Sequence, residues 1–251
     1  MDFDDIVARL RAAGCVFAED EARLLLEQAS DGLAEMVRRR ASGEPLEYVL
    51  GWAEFAGRRF VVAPGVFVPR HRTELLVRLA VGFAQARSVV LDLCCGSGAL
   101  GATVAAEVPG IELYAADIES AAVECARQNV PGTVFKGDLY DPLPPSLRGR
   151  VDVLISNVPY VPTEEVALMP AEARDHEPRV ALDGGADGLD VLRRVVAEAP
   201  AWLAPGGRVL FEAGERQAEA AAAEVRRAGL AASVEQSEEL GATVVVGLRE
   251  H

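Results

Sequence analysis

Residues 89–101 of the chain read VVLDLCCGSGALG, and this stretch decides the fold that the sequence predicts. Its first part, Val89 to Leu93, has the length and the apolar composition of a buried strand. Gly96, Gly98 and Gly101 follow with the spacing Gly-x-Gly-x-x-Gly, which lets a strand turn into a helix while the backbone approaches a ligand. Because dinucleotide sites share this spacing, the glycine loop predicts a nucleoside-bearing ligand without identifying it.

Strand-like and helix-like segments alternate from this loop to the end of the chain. The predicted helices cover 98–107, 119–128, 189–202 and 215–228, and the predicted strands cover 111–116, 133–137, 153–157, 207–213, the region of Val234 and 242–248. This alternation predicts an α/β fold with a doubly wound, mostly parallel, Rossmann-like sheet. Ligands of such sheets bind at the carboxyl ends of the strands.

Three regions of different character predict the domain organisation. Residues 1–43 carry three apolar stripes at helical spacing, which predict an N-terminal helical bundle. Residues 44–72 turn β-like and predict a β-hairpin linker. Residues 73–251 contain the alternating segments and predict the catalytic domain.

Local signals add detail to these regions. The run from Tyr48 predicts a strand, with the hairpin turn at Ala56-Gly57. Thr73 is a residue type that caps helices, and it predicts a helix reaching about Ala86. Residues 161–188 are rich in proline, glycine and acids, so we expect them to be irregular.

Composition and charge argue against several classes of protein. A net charge of −14 makes a nucleic-acid binder less favoured, since such proteins normally present a basic face. The four cysteines form no Cys-x-x-Cys pair and the three histidines have no ligand spacing, so we expect neither disulfides nor a metal site. No apolar run is long enough to span a membrane, and residues 1–5 are acidic where a secretory signal is basic. We therefore expect a cytoplasmic protein.

Three acids around the glycine loop favour one nucleoside ligand over another. Asp117 ends the next strand, about 20 residues after the glycines, where a carboxylate accepts hydrogen bonds from a ribose diol. Asp92 precedes the loop, and Asp138 follows the third strand, near the expected adenine. A pyrophosphate needs free N–H groups at a helix N-terminus, whereas the sulfonium and ammonium groups of S-adenosylmethionine favour acidic neighbours. Asp92 and Asp138, together with the Asn-Val-Pro-Tyr turn at 157–160 as the main reason, therefore predict S-adenosylmethionine over a dinucleotide.

Residues 153–160 read VLISNVPY, a buried strand that runs into an Asn-x-Pro-Tyr turn. A planar amide or aryl amine nitrogen is a poor nucleophile because its lone pair is delocalised. The side-chain oxygen of Asn157 and the carbonyl oxygen of Val158 can accept hydrogen bonds from its two N–H groups. Pro159 stiffens the direction of that carbonyl, and Tyr160 can pack against the planar group. The turn predicts methyl transfer to a planar nitrogen by positioning, without a strong general base.

Further motifs extend the pattern over most of the chain: EYVLG at 47–51, VPRHRTE at 68–74, GDLY at 137–140, EPRVAL at 177–182 and GGADGL at 184–189. Together with the glycine loop and the Asn-x-Pro-Tyr turn, these motifs resemble the protein-(glutamine-N5) methyltransferases that modify the Gly-Gly-Gln loop of peptide-chain release factors. The resemblance implies a class I S-adenosylmethionine-dependent methyltransferase fold. It also implies a protein partner that exposes a glutamine loop.

The same resemblance implies the site residues. The cofactor contacts would come from Cys94, Cys95, Gly96, Ser97, Gly98, Asp117, Leu139 and Asn157. The catalytic segment, Asn157, Val158, Pro159 and Tyr160, would hold the substrate glutamine amide. Residues 69–74 would lie near the mouth of the site.

Two positions depart from the usual motifs of that family. Val158 replaces the first proline of Asn-Pro-Pro-Tyr, which keeps the carbonyl group with less rigidity. Arg72 takes the place of an aspartate after His71, and this reversed charge leaves open a paralogue with another protein substrate. Two other functions also stay open. An amino methyltransferase of RNA or DNA bases would have a basic groove beside Tyr160, and a non-enzymatic binding protein would keep only a degenerate cofactor fold.

Overall fold

The computed structural model of the protein describes residues 1–250, and it begins with the three helices that the sequence predicts. They are α1 (Phe3–Ala12), α2 (Ala18–Gln28) and α3 (Leu33–Ala41). Asp2 begins α1 with a capping box, because its carboxylate accepts from the Asp5 N–H at 2.9 Å while the Asp5 carboxylate accepts from the Asp2 N–H. The apolar faces meet in a cluster around Leu10 and Leu25, both fully buried.

The segment after α3 is helical where the sequence predicts the start of a strand. Helix α4 (Leu46–Leu50) contains Tyr48, so the predicted strand from Tyr48 is wrong up to Gly51. Pro45 precedes the helix, and Gly51 ends it in the left-handed conformation with a φ of 81°. A short buried apolar run has no periodicity that separates strand from helix, so the flanking proline and glycine decide.

The predicted hairpin follows, with β1 (Trp52–Phe55) and β2 (Arg58–Val61) paired antiparallel. The predicted turn at Ala56-Gly57 is confirmed, since both residues have positive φ, as a two-residue turn of type I′ requires. Phe55 and Phe60 are buried against each other in the cluster that also contains residues of the central sheet. The hairpin is therefore packed onto the body of the protein.

The helix after the hairpin is shorter than predicted. A 3-10 turn, His71–Thr73, leads into α5 (Glu74–Phe83), which ends before Ala86. Thr73 precedes the helix, but its side chain makes no capping hydrogen bond. Its backbone has helical angles, whereas a capping side chain needs an extended backbone to reach the first free N–H groups.

A seven-stranded sheet with flanking helices follows, as predicted. Its elements are β3 (Val89–Leu93), α6 (Ala99–Glu107), β4 (Glu112–Asp117), α7 (Ser120–Asn129), β5 (Thr133–Lys136), β6 (Val151–Ser156), α8 (Ala171–His176), α9 (Asp190–Trp202), β7 (Leu203–Glu212), α10 (Ala218–Arg227), β8 (Ala231–Ser237) and β9 (Ala242–Leu248). The strand order is β5-β4-β3-β6-β7-β9-β8. Strands β3 to β7 pair in parallel, and β9 runs antiparallel to both of its neighbours.

The order of the strands fixes where a ligand can bind. The chain passes from β3 outward to β4 and β5, then returns to β6 on the other side of β3. This reversal makes the gap between β3 and β6 the topological switch point, where open α/β sheets bind ligands beyond the carboxyl ends of their strands. Both the glycine loop after β3 and the Asn-x-Pro-Tyr turn after β6 lie there.

The segment 161–188, predicted to be irregular, contains α8 and several 3-10 turns. Two ion pairs attach it to the N-terminal part of the chain. Arg40 on α3 donates to Glu172 at 3.1 Å, and Arg70 donates to the buried Glu177 at 2.6 Å. Among residues 1–250, no helix has the length and apolarity that crossing a membrane requires.

Candidate active site

A cavity of about 140 Å³ lies at the switch point. The predicted cofactor residues that line it are Cys94, Cys95, Gly96, Ser97, Asp117, Asp138, Leu139 and Asn157. We call this space the inner cavity. Asp92 and Gly98, which were also predicted, do not line it.

The glycine loop turns through left-handed conformations on alternate residues. Cys94, Gly96 and Gly98 have φ values of 56°, 54° and 77°. A side chain at Gly98 would lie 2.4 Å from Val130, so this glycine permits the close packing of the loop on its neighbours and not a ligand contact. Cys94 tolerates the left-handed region at a cost, and such strain concentrates at ligand-binding loops.

Asp92 is fully buried under the loop, which corrects its predicted place beside the ligand. Its Oδ2 atom accepts a hydrogen bond from the Gly101 N–H at 2.9 Å, and its Oδ1 atom has no partner among the described residues. Burial raises the pKa of Asp92 to about 7, although the Gly101 hydrogen bond opposes this shift. The carboxyl group therefore fastens the first turn of α6 to β3.

Asp117 ends β4 on the wall of the inner cavity, as predicted. Its Oδ2 atom accepts from the Gly96 N–H at 2.8 Å, and its Oδ1 atom accepts from the Glu119 N–H at 2.9 Å. Burial raises the pKa of Asp117 above its usual value, while both backbone hydrogen bonds lower it. Each carboxylate oxygen keeps a second lone pair for a ligand.

Asp138 also lines the inner cavity, but it does so as half of an ion pair. Its Oδ2 atom accepts from Arg194 of α9 at 2.6 Å, and Arg194 itself lines the cavity. The sequence analysis missed Arg194, since a charge on the middle of a helix carries no local signal for a ligand. It also missed Phe67 and Ile118, which add apolar surface to the walls.

Asn157 follows β6 and faces the inner cavity. Its Oδ1 atom is buried and has no hydrogen-bond partner among the described residues. The preceding residue, Ser156, donates from its hydroxyl to the Leu93 carbonyl at 2.8 Å, which joins the end of β6 to the end of β3. A buried carbonyl oxygen without a donor costs about 1–3 kcal/mol, and a ligand in the inner cavity or beside it that donates to Asn157 would remove this cost.

A second recess opens on the other side of Asn157, and we call it the side recess. It is lined by Phe67, Arg70, Arg72, Asn157, Val158, Pro159, Tyr160, Val161, Met169, Ala181 and Leu182. The four predicted catalytic residues are therefore brought together here. Asn157 and Pro159 line both spaces, so the inner cavity and the side recess adjoin at the turn.

Tyr160 is held from behind by Glu212, a residue that the sequence analysis missed. The Tyr160 hydroxyl donates to Glu212 Oε1 at 2.7 Å, and Arg72 Nε donates to the same oxygen at 2.9 Å. Burial and the neighbouring Glu212 raise the pKa of Tyr160, so the phenol stays protonated and continues to donate. Glu212 is the last residue of the apolar strand β7, just as Asp117 is the last residue of β4. An acid at the end of an apolar strand is therefore the sequence signal that could have identified Glu212.

Comparison with known proteins places this site in a family. Residues 57–173 match the family described as the methyltransferase small domain. A release factor glutamine methyltransferase of Geobacter sulfurreducens is 39% identical over 219 residues, which cover 85% of this chain and 76% of the relative. The chain belongs to the release factor glutamine methyltransferase family. This confirms the resemblance that the sequence motifs indicated, and S-adenosylmethionine is the methyl donor.

The chain is also similar to two other methyltransferases. A 4-amino-L-phenylalanine/4-methylamino-L-phenylalanine methyltransferase of Streptomyces pristinaespiralis is 39% identical over 191 residues, covering 72% of this chain and 65% of the relative. A methyltransferase structure from Pyrococcus furiosus superposes with a TM-score of 0.58 at 17% identity, covering 76% of this chain and 90% of that one. The structural likeness confirms the predicted class I methyltransferase fold.

The pKa of Asp92 predicts how stability depends on pH. The unfolded carboxyl group ionises near 3.8 and the folded one near 7, so the folded state holds a proton that the unfolded state has lost between these values. This contribution to the free energy of unfolding therefore falls as pH rises from about 4 to about 7. Asp92→Asn cannot ionise, and we expect its stability to fall less than that of the wild type over this range.

Urea unfolding at several pH values measures this difference. Asp141→Asn, an exposed acid in the same domain, serves as the control and should follow the wild type. A stability difference between wild type and Asp92→Asn that does not change with pH would contradict the raised pKa.

Proposed function

We propose that this chain transfers the methyl group of S-adenosylmethionine to the side-chain amide nitrogen of a glutamine in a protein, and that the protein is a peptide-chain release factor. Family membership supports the reaction. The observation that carries the site assignment is the unpartnered Oδ1 atom of Asn157, a residue that lines both the inner cavity and the side recess. One space takes the donor and the other takes the amide.

The inner cavity fits the methyl donor. Asp117 accepts hydrogen bonds from the ribose hydroxyl groups, since its oxygens keep free lone pairs within the wall. Ile118 and Leu139 provide apolar surface for the adenine. The glycine loop from Cys94 to Ser97 brings backbone groups close to the amino-acid part of the donor. When bound, S-adenosylmethionine supplies an electrophilic methyl group on a sulfonium.

The turn after β6 orients the amide. Asn157 Oδ1 and the Val158 carbonyl oxygen accept from the two N–H groups of the glutamine side chain, and neither oxygen has a donor among the described residues. Holding both hydrogens fixes the plane of the amide and directs the nitrogen lone pair toward the inner cavity. Positioning of this kind lowers a barrier by several kcal/mol, up to about 7–11 kcal/mol for ideal alignment.

Val158 and Tyr160 complete this arrangement. Val158 is buried, so packing replaces the missing proline in fixing the carbonyl direction. Tyr160 lines the side recess and is held by Glu212, which places its ring for packing against the planar amide. No general base is needed, because the methylated nitrogen loses its proton readily.

The charges at the entrance favour a protein amide over a nucleic-acid base. The arginines that line the side recess, Arg70 and Arg72, are each paired with a buried glutamate. The recess on the outer side of Tyr160 is lined by Arg72, Glu212, Glu215 and Glu238. A nucleic-acid backbone needs a basic groove here, and the paired and acidic groups do not provide one. A neutral mouth suits an exposed glutamine loop of a protein.

The proposal extends to the division of the chain into a helical bundle at 1–43, a hairpin linker at 44–72 and a catalytic domain at 73–251. The separate apolar cluster of the first helices supports this division. The ion pair between Arg40 and Glu172 gives the bundle a fixed contact with the segment that covers the site. The bundle would then form part of the surface that receives the protein substrate.

Mass spectrometry tests the proposed function. Purified bacterial release factors and total cell protein are incubated with the chain and a donor carrying an isotopically labelled methyl group. We expect one labelled methyl group on a release-factor glutamine. Label on another protein glutamine would replace the release factor as substrate, and label on RNA or DNA alone would refute protein methylation.

Replacing Asn157 by alanine should reduce turnover by at least about 100-fold, because the amide loses one of the two acceptors that position it. The methylation rate is measured at saturating donor and protein substrate, and thermal unfolding checks that the fold is intact. Gln128→Ala, which removes an exposed amide, is the matched control and should keep full turnover. Near-normal turnover of a folded Asn157→Ala enzyme would disprove the role of Asn157.

Replacing Asp117 by alanine should weaken binding of S-adenosylmethionine by about 10- to 100-fold, since hydrogen bonds to a charged group contribute about 1.5–3 kcal/mol. Titration calorimetry measures the dissociation constant, and Asp141→Ala controls for a general loss of negative charge. An unchanged dissociation constant would refute the placement of the ribose at Asp117.

A further inference from the structure

Arg72 occupies a place that links the side recess to the surface. Its side chain lines the side recess together with Asn157 and Tyr160, and it also lines the recess on the outer side of Tyr160. We call the latter the outer recess. Arg72 is therefore placed to meet the residues next to a glutamine that enters the side recess by way of the outer recess.

The guanidinium group is held in a fixed orientation. Arg72 Nε donates to Glu212 Oε1 at 2.9 Å, and Glu212 is 2% exposed. The same oxygen accepts from the Tyr160 hydroxyl, and the Arg72 guanidinium carbon lies 5.6 Å from the centre of the Tyr160 ring. A buried carboxylate and an aromatic face therefore set its position before any substrate binds.

The outer edge of this guanidinium group remains available. The Arg72 side chain is 49% exposed, and neither terminal nitrogen donates to an acceptor among residues 1–250. A guanidinium group carries five N–H donors, of which the Glu212 contact uses the one on Nε. The remaining donors border the path of the substrate peptide.

The surrounding charges select the kind of oxygen that these donors can bind. The positive charge of Arg72 is matched by Glu212, and the outer recess also contains Glu215 and Glu238. A carboxylate beside Arg72 would meet these acids and be repelled. A neutral backbone carbonyl gains the hydrogen bonds without that repulsion.

We infer that Arg72 is a substrate-binding residue, which donates hydrogen bonds to backbone carbonyl oxygens of the acceptor peptide beside the methylated glutamine and is held for this purpose by Glu212. The inference rests on the proposed function, because it assumes a glutamine in a peptide chain. Arg72 is a position at which the chain departs from the usual motif of its family. On this inference Arg72 contacts the main chain of the substrate and not an acidic side chain.

Steady-state methylation of a purified bacterial release factor tests the inference with Arg72→Met. Methionine keeps most of the apolar stem and removes every donor. We expect KM for the release factor to rise about 10- to 100-fold, the range for losing a hydrogen bond from a charged group. We expect kcat to stay within about threefold, because this contact is the same in the ground state and the transition state. The dissociation constant of S-adenosylmethionine should not change.

Two other variants distinguish a direct contact between Arg72 and the substrate from a role of Arg72 in positioning Tyr160. Arg78→Met removes an exposed arginine of α5 that lines neither recess, and its kinetics should match the wild type. Arg72→Lys keeps a charge with a smaller donor, and its KM should lie between those of the wild type and Arg72→Met. A fall in kcat at constant KM in Arg72→Met would show that Arg72 acts through Tyr160, and it would overturn the inference.

The substrate provides a test of the carbonyl assignment. A release factor with an aspartate placed next to the target glutamine should show a higher KM with the wild-type enzyme, because of repulsion by the acids of the outer recess. A lower KM would overturn the assignment to carbonyl groups.

An unchanged KM in Arg72→Met, with active wild type, overturns the inference alone. Absence of wild-type turnover with any release factor overturns the proposed release-factor substrate, and the inference falls with it.

Discussion

The parallel pairing of β3 with β6 is the constraint on which the rest of the site depends. These strands are adjacent in the sheet but separated in sequence by β4 and β5, so their carboxyl ends meet at the switch point. The pairing places Leu93 beside Ser156, and the Ser156 hydroxyl joins the two strand ends at 2.8 Å. Strand β3 leads into the glycine loop, and strand β6 leads into Asn157. A shift of one residue in this register would turn Asn157 away from the inner cavity, because successive side chains of a strand point to opposite faces.

Buried carboxylates behind the site orient the groups that face the ligands. Asp92 holds the first turn of α6, Glu177 holds Arg70, and Glu212 holds both Arg72 and Tyr160. A hydrogen bond has a preferred direction, so each of these acids fixes the orientation of its partner more firmly than apolar packing alone. The acids of the site thus have two roles, since Asp117 lines the inner cavity whereas Asp92, Glu177 and Glu212 support the groups around it.

The sequence predicts most of the sheet and the centre of the site, because strand alternation and the Asn-x-Pro-Tyr turn are local signals. It fails where the outcome depends on distant groups. Asp92 looks like a ligand contact, but its carboxyl group points to Gly101, which only the packing of α6 on β3 reveals. Glu212 was overlooked because its partners lie far away in the chain. Tyr48 lies in a helix because Pro45 and Gly51 flank a short apolar run that is compatible with either a strand or a helix.

The segment between β6 and α9 explains how one fold can join a nucleoside cavity to a protein-sized substrate. It contributes Ala181 to both the inner cavity and the side recess. It is also attached to the N-terminal helices, where Arg40 is 8% exposed and bonds both Glu21 and Glu172. Glu21 is buried with Arg40 and fixes the guanidinium group, whereas the Glu172 side chain is 43% exposed, so the attachment to Glu172 is oriented by Arg40 and contributes little to stability itself. The wall that covers the reacting groups is therefore fixed by the part of the chain farthest from them in sequence. A large substrate that rests on the helices would meet the site in a defined orientation.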